Sequence, residues 1–481
     1  MGGKLKHYSC FAQKYCKITS HIALGSNLAH DLMAFQLLQK LRNKHFLSLA
    51  GNGIMSVLGM LNMIILYRAL PVASIGMWVF FLSILLLVDT FRSGFLTTAF
   101  IKFYAGANDA RKREVVGSAW FIGGAITGIL ALINVPAFLF SDWFKNPSVV
   151  LFVEWFGIIY IASLPYFIAS CVVQAEQRFD QLLCIRFLSQ GFFILFVMVM
   201  AFTKTANLQN IIYAYLGGAA LTSIFTIVMG WSRLANFKDR TSECIKEIFH
   251  FGKFSVGTTL SSNLFGTSNT MIINFMLGPA ALAVFNLGQR LMEIIEIPLR
   301  SFAATGMPEL SAAYNEGNRP KVIDTMKRYA GLITMALLPA CIGAVILADV
   351  AIHIIGGEKY INSEAANIMR LYMTFALLYP LDRFFALTLD VIHQPKINFI
   401  KVLIMLAGSV IASVSGIYLT GSIYGVAIAG VVPTLIGVGI GYWGLNRFQP
   451  FSILSVFTTG YMEAVNLARV WWGKLMVDKA Q

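Results

Sequence analysis

VLIMLAGSVIASVSGIYLTGSIYGVAIAGVVPTLIGVGIGYWGLN, residues 402–446, contains no Asp, Glu, Lys or Arg. A helix crosses the hydrocarbon core in about 20 apolar residues, so this run holds two crossings that meet at the Thr420-Gly421-Ser422 turn. Residues 115–141 and 205–232 are also free of charge, and each is long enough for one crossing. The whole chain of 481 residues is 57% hydrophobic and 12% charged, against roughly 25% charged in soluble domains. Water could not accommodate so much apolar surface, which makes this an all-α polytopic membrane protein.

Twelve spans are expected, at 46–67, 74–101, 116–140, 149–173, 182–203, 208–231, 254–277, 280–308, 330–355, 365–391, 397–419 and 422–446. Basic residues cluster on alternate loops. Lys40, Arg42 and Lys44 precede the first span, Arg111, Lys112 and Arg113 follow the second, Arg233 to Lys253 fill the central connection, and Arg319 to Arg328 follow the eighth. The other loops carry little beyond Lys145, Lys204 and Lys359. Cationic loops stay on the cytoplasmic side, so both termini are expected there. The net charge of +14 is then a topology signal, with some contact to anionic lipid. No basic segment forms a domain of its own, which argues against nucleic acid as a partner.

Six spans precede the central connection and six follow it. An even number per half inserts both copies with one orientation, so two parallel six-helix halves are expected, related by a pseudo-two-fold axis along the membrane normal. The expected divisions are a cytoplasmic segment 1–44, bundles at 45–231 and 251–446, a cytoplasmic linker at 232–250, and a cytoplasmic or interfacial tail at 447–481 anchored by Trp471 and Trp472. Met33 is a candidate for the native start. Cysteines at 10, 16, 171, 184, 244 and 341 show no zinc-like spacing and are expected to be reduced.

An offset of 208 residues superposes Pro71 on Pro279, Arg92 on Arg300 and Arg111 on Arg319. An arginine within a span costs several kcal/mol unless it is paired or wet, so Arg92 and Arg300 mark candidate sites. Asp89, one turn before Arg92, is its natural partner. In span eight Arg290, Glu293, Glu296 and Arg300 fall on one stripe at 100° per residue. An internal ion-pair ladder and a solvated, substrate-facing stripe both satisfy this pattern, and they are compatible. Counted from Pro279, Arg290 stands about 16 Å down the helix and Arg300 about 31 Å. Span ten adds Arg370, Asp382, Arg383 and Asp390, with Pro380 loosening the helix. Spans one and seven are polar, with Asn52, Ser56 and Asn62 in the first and Ser261 to Asn274 in the second. A cavity wall is the expected use of span seven. No phosphate loop or metal-ligand cluster is present in the sequence, so neither a cofactor nor an enzymatic centre is expected.

The layout, with Leu-Tyr-Arg-Ala-Leu-Pro (66–71), Ala-Asn-Asp-Ala-Arg-Lys-Arg (107–113), Met-Leu-Gly-Pro (276–279), Phe-Asn-Leu-Gly-Gln-Arg (285–290) and Tyr-Asn-Glu-Gly-Asn-Arg (314–319), resembles the exporter superfamily of multidrug and toxin exporters and polysaccharide or O-antigen flippases. It looks most like the oligosaccharide flippase branch. That resemblance implies alternating-access transport of an undecaprenyl-diphosphate-linked oligosaccharide from the cytoplasmic to the outer leaflet of a bacterial inner membrane. It also implies a place beside polysaccharide polymerase machinery. Arg92, Arg290 and Arg300, with Asn62 and Asn269, would then bind substrate, since arginine grips phosphate through a planar fork. Asp89, Glu293, Glu296, Asp382 and Arg383 would pair those charges or bind a coupling proton or sodium ion. The alternative is a cation-coupled drug exporter of the same fold, in which the carboxylates are primary. Among these candidates Arg92, Arg290, Arg300 and Arg383 stand against Asp89, Glu293, Glu296 and Asp382, four cations to four anions, so the count does not choose.

Overall fold

The computed structural model describes residues 44–290 and 292–478 of the chain. Met33, Cys10 and Cys16 lie outside the described residues, as do the side chains of Asn52, Trp471 and Trp472. The first half comprises α1 (Lys44–Ala69), α2 (Val72–Tyr104), α3 (Asp109–Leu139), α4 (Pro147–Ala175), α5 (Phe179–Phe202) and α6 (Leu208–Val228). After α7 (Ser242–Met276), the eighth segment is described as α8 (Pro279–Arg290) and α9 (Met292–Asn315). Then come α10 (Arg319–Ile346), α11 (Ala348–Gly356), α12 (Ala365–Phe375), α13 (Tyr379–Val391), α14 (Pro395–Thr420), α15 (Ile423–Ala429), α16 (Val431–Phe448) and α17 (Leu454–Asp478). Helix starts follow side-chain caps, which satisfy otherwise orphaned N–H groups. Asn108 accepts from the Arg111 amide at 2.8 Å, Asn207 from Asn210 at 2.8 Å and Asn318 from Lys321 at 3.0 Å.

Eight described helices are long and apolar enough to cross a membrane: α2 to α6, α10, α14 and the α15–α16 pair. The remaining segments of the twelve are α1, α7, α8–α9 and α12–α13. They carry the polar and charged residues, so their packing against protein decides the fold. Pro380 acts as expected: a 3-10 turn over Ala376–Leu378 interrupts span ten, and Pro380 sits in the first turn of α13, where its missing N–H costs nothing. Span nine differs from expectation. The long helix α10 stops at Ile346, and α11 turns away to pack against α1 of the other half.

The two halves meet chiefly along α2 and α7, which run antiparallel. Gly76 abuts the backbone of Pro279, Thr90 accepts a hydrogen bond from Asn263 at 2.7 Å, and Phe95 lies on Gly252. Hydrocarbon supplies no hydrophobic drive between helices, so close backbone approach and hydrogen bonds hold such joints. This corrects the reading of span seven as a cavity wall. Asn274 is fully buried and engages Asn146 and Ser148, the latter donating at 2.7 Å, while Thr267 and Ser268 are buried as well.

The connection between halves is shorter than 232–250, because Thr241 caps α7 and starts it at Ser242. The Trp120 indole donates to the Ser232 carbonyl at 2.8 Å, and a Cβ at Gly117 would lie 2.4 Å from the Asn236 carbonyl oxygen. The connection therefore lies directly on α3. Beyond α16 the chain folds back, and α17 packs along α10, with Gly331 and Gly460 in backbone contact. A Cβ at Gly331 would fall 2.2 Å from the Val456 carbonyl oxygen. Gly331→Val is expected to cost about 1–3 kcal/mol through overpacking, read as a lower melting temperature in detergent and faster proteolysis of the tail.

Candidate functional site

α9 has two faces. Met292, Ile295, Leu299, Ala303, Leu310 and Ala313 form a buried stripe at the three- and four-residue spacing that packs one side of a helix, here against α10 and α13. The other face carries the charges. Arg290 donates to Glu293 at 2.5 Å, and Arg300 donates to Glu296 at 2.5 Å. These pairs are open: the side chains of Arg290 and Glu293 are 40% and 64% exposed, those of Arg300 and Glu296 74% and 43%. Both ion pairs of the expected ladder therefore form with exposed side chains, Arg290 at the end of α8 and the other three on α9. α13, which starts at Tyr379, packs against α9 and carries Asp382 and Arg383.

On α13 the two adjacent charges part company. Asp382 turns toward α14 and accepts from Lys401 at 2.8 Å, with Lys401 only 2% exposed. Arg383 is exposed and forms no ion pair among the described residues. Lys401 was missed as a partner because it bounds the charge-free run, and 19 positions of sequence separation leave no local pattern to reveal a contact between antiparallel helices.

Arg92 does not join this face. It is 3% exposed, and four donor contacts hold it inside its own half: two to Asp89 at 3.0 and 2.6 Å, one to the Tyr160 carbonyl at 3.2 Å and one to Ser163 at 2.9 Å. Its guanidinium also stacks over Tyr160 and Phe167, 4.2 and 4.6 Å from the ring centroids, an arrangement that favours a desolvated cation. No donor set is left over for a phosphate in this state. The two copies also differ in length. Asn108 caps α3 and Asn318 caps α10, so the second copy runs two residues longer from Pro279 to its cap than the first does from Pro71. This difference aligns Arg111 with Lys321 rather than with Arg319.

The asparagines are placed apart from the charged face. Asn269 accepts from Ser413 at 2.9 Å, tying α7 to α14. Asn62 on α1 has a buried side-chain oxygen with no partner among the described residues. Among the described residues, no cluster of three or more His, Cys, Asp or Glu side chains could hold a metal.

At the Pro71 end the halves are drawn together. Tyr67 donates to Asn286 at 3.1 Å, Arg68 to the Ile354 carbonyl at 2.7 Å, and Lys359 to the carbonyls of Arg68 and Leu70 at 2.8 and 3.0 Å. At the opposite end, which carries the basic loops, α9 packs on α10 and α13 of its own half. Among the described residues no joint comparable to α2–α7 links α9 to α1.

A family profile described as "Polysaccharide biosynthesis protein" matches residues 65–365. The chain belongs to this polysaccharide biosynthesis family. No curated protein matches it. Among solved structures, an inward-facing multidrug resistance MATE family transporter of the MOP superfamily is similar with a TM-score of 0.69 at 17% identity, over 82% of this chain and 94% of that one. The lipid II flippase MurJ, in an inward closed conformation, gives 0.67 at 16% identity over 89% and 92%. A MOP superfamily transporter from Pyrococcus furiosus, whose binding pocket is described as having reverse polarity that suggests a different function, gives 0.53 at 16% identity over 84% and 94%. This family member thus has the fold of MOP transporters, with which two halves of six membrane segments are consistent, and its exposed charge pairs lie on the second half.

Proposed function

We propose that the chain moves an undecaprenyl-diphosphate-linked oligosaccharide from the cytoplasmic to the outer leaflet of a bacterial inner membrane by alternating access. It would serve a cell-surface polysaccharide of O-antigen type. Both termini are then cytoplasmic, with the basic loops on that side. The observation that carries the reading is the charge left on the open face. Asp89 is paired with Arg92 and Asp382 with Lys401, and setting these aside leaves the exposed Arg290, Arg300 and Arg383 beside Glu293 and Glu296, a cationic excess that supports this reading. A cationic excess suits a diphosphate, and arginine forks match its oxygens.

One further feature supports a lipid-linked substrate. The Pro71 end is closed, so the charged face is reached from the basic, cytoplasmic end. In this reading a headgroup whose tail stays in the bilayer enters laterally between the two halves. Glu293 and Glu296 neutralise their arginines at rest and are the candidates for a coupling proton or sodium ion. A polymerase complex in the outer leaflet is the natural receiver of the product. The competing reading, a drug exporter of the same fold, rests on the same two glutamates.

A flippase-null strain distinguishes the two. Wild-type protein is expected to restore surface polysaccharide, and Arg383→Ala to lower it about tenfold, the factor for about 1.4 kcal/mol of lost binding, at equal membrane abundance. Raised drug resistance that Glu293→Gln abolishes, without polysaccharide, would overturn the flippase reading.

A further inference from the structure

The joint at the Pro71 end is built in an unusual way: each half contributes a cation that caps a helix of the other. The Arg68 guanidinium, at the end of α1, donates to the carbonyl of Ile354 in the last turn of α11. Lys359 of the second half donates to the carbonyls of Arg68 and Leu70 at the end of α1. Carbonyls in the last turn of a helix have no intrahelical donor, and the helix dipole makes them attractive to cations. Beneath these caps Tyr67 is buried, with its ring 5.5 Å from that of Tyr360 and its hydroxyl on Asn286. No carboxylate pairs with Arg68 or Lys359 among the described residues. Burial at the joint pushes the Lys359 ammonium below the usual lysine range, as expected where no anion offsets desolvation.

We propose that this reciprocal helix cap is the gate of the Pro71 end, made in the present state and released when the halves rock open toward that side. Neutral acceptors suit a gate. Water can replace a carbonyl partner with small net loss, whereas a desolvated ion pair would lock the halves together. Its inner bond is placed to respond to the charged face, because Asn286 stands one turn before Arg290 on α8.

The inference rests on the alternating-access reading but not on the identity of the substrate, and its test needs none. Hydrogen exchange of Arg68→Gln, Lys359→Gln and the double variant is measured in lipid nanodiscs, with native cysteines retained. Amides of residues 66–72 and 353–361 are expected to exchange at least about tenfold faster in the double variant, as the open population rises. At the same time, residues 296–315 of α9 should become more protected, because opening one end closes the other. Tyr67→Phe, which keeps the ring contact, should show a smaller change of the same sign. Faster exchange at the Pro71 end without added protection of α9 means the caps only tie down loops, and the proposal fails. Unchanged exchange at both ends overturns it equally. Either outcome leaves the polysaccharide test of Arg383 standing.

Discussion

Replacing Arg300 with alanine is expected to leave the protein folded and inserted while reducing surface polysaccharide in a flippase-null strain by about 10- to 100-fold. Its side chain is 74% exposed and makes one ion pair, with Glu296, so its loss should change stability by no more than about 0.5 kcal/mol. Truncating one partner of a charge-assisted contact to a bound ligand, in contrast, costs about 2 kcal/mol or more. Arg300→Lys should fall between, because an ammonium keeps the charge but not the fork. Full complementation by Arg300→Ala at wild-type abundance would remove the second-half face from the substrate path.

Arg92→Met should give the opposite profile, a loss of stability before any specific loss of transport. The arginine is the centre of a buried cluster of Asp89, Tyr160, Ser163 and Phe167. Removing the arginine strands Asp89, which is 29% exposed, and leaves the Tyr160 carbonyl and Ser163 without their donor, at a cost of about 1–3 kcal/mol. Lower membrane yield and a lower melting temperature are expected, and Asp89→Asn combined with Arg92→Met should recover more than half of the loss. A single Arg92→Met variant that melts like wild type yet fails to complement would instead make Arg92 a substrate ligand.

How far the candidate site could be read in advance depended on sequence distance. The pairs Arg290–Glu293 and Glu296–Arg300 lie within one helix, where spacing alone brings side chains together. Asp89–Arg92 was legible for the same reason. Lys401 and the carbonyl of Tyr160 meet their partners across helices, and no periodicity within one segment encodes such a meeting. The polar residues of α7 were legible as residues that must avoid lipid, but their choice between water and protein was not. The amides of Asn263 and Asn274 are used by α2 and α4.

The amino-acid sequence by itself determined the class of this protein, its segment order and its repeat, because the cost of exposing polar backbone or charge to hydrocarbon acts residue by residue and leaves a linear record. Only the tertiary structure decided which charges are available. Arg92 and Arg300 look alike in sequence, yet Arg92 is held inside its own bundle and Arg300 lies on an exposed face. Exposure is a property of what packs against a helix, and that is set by neighbours far away in the chain.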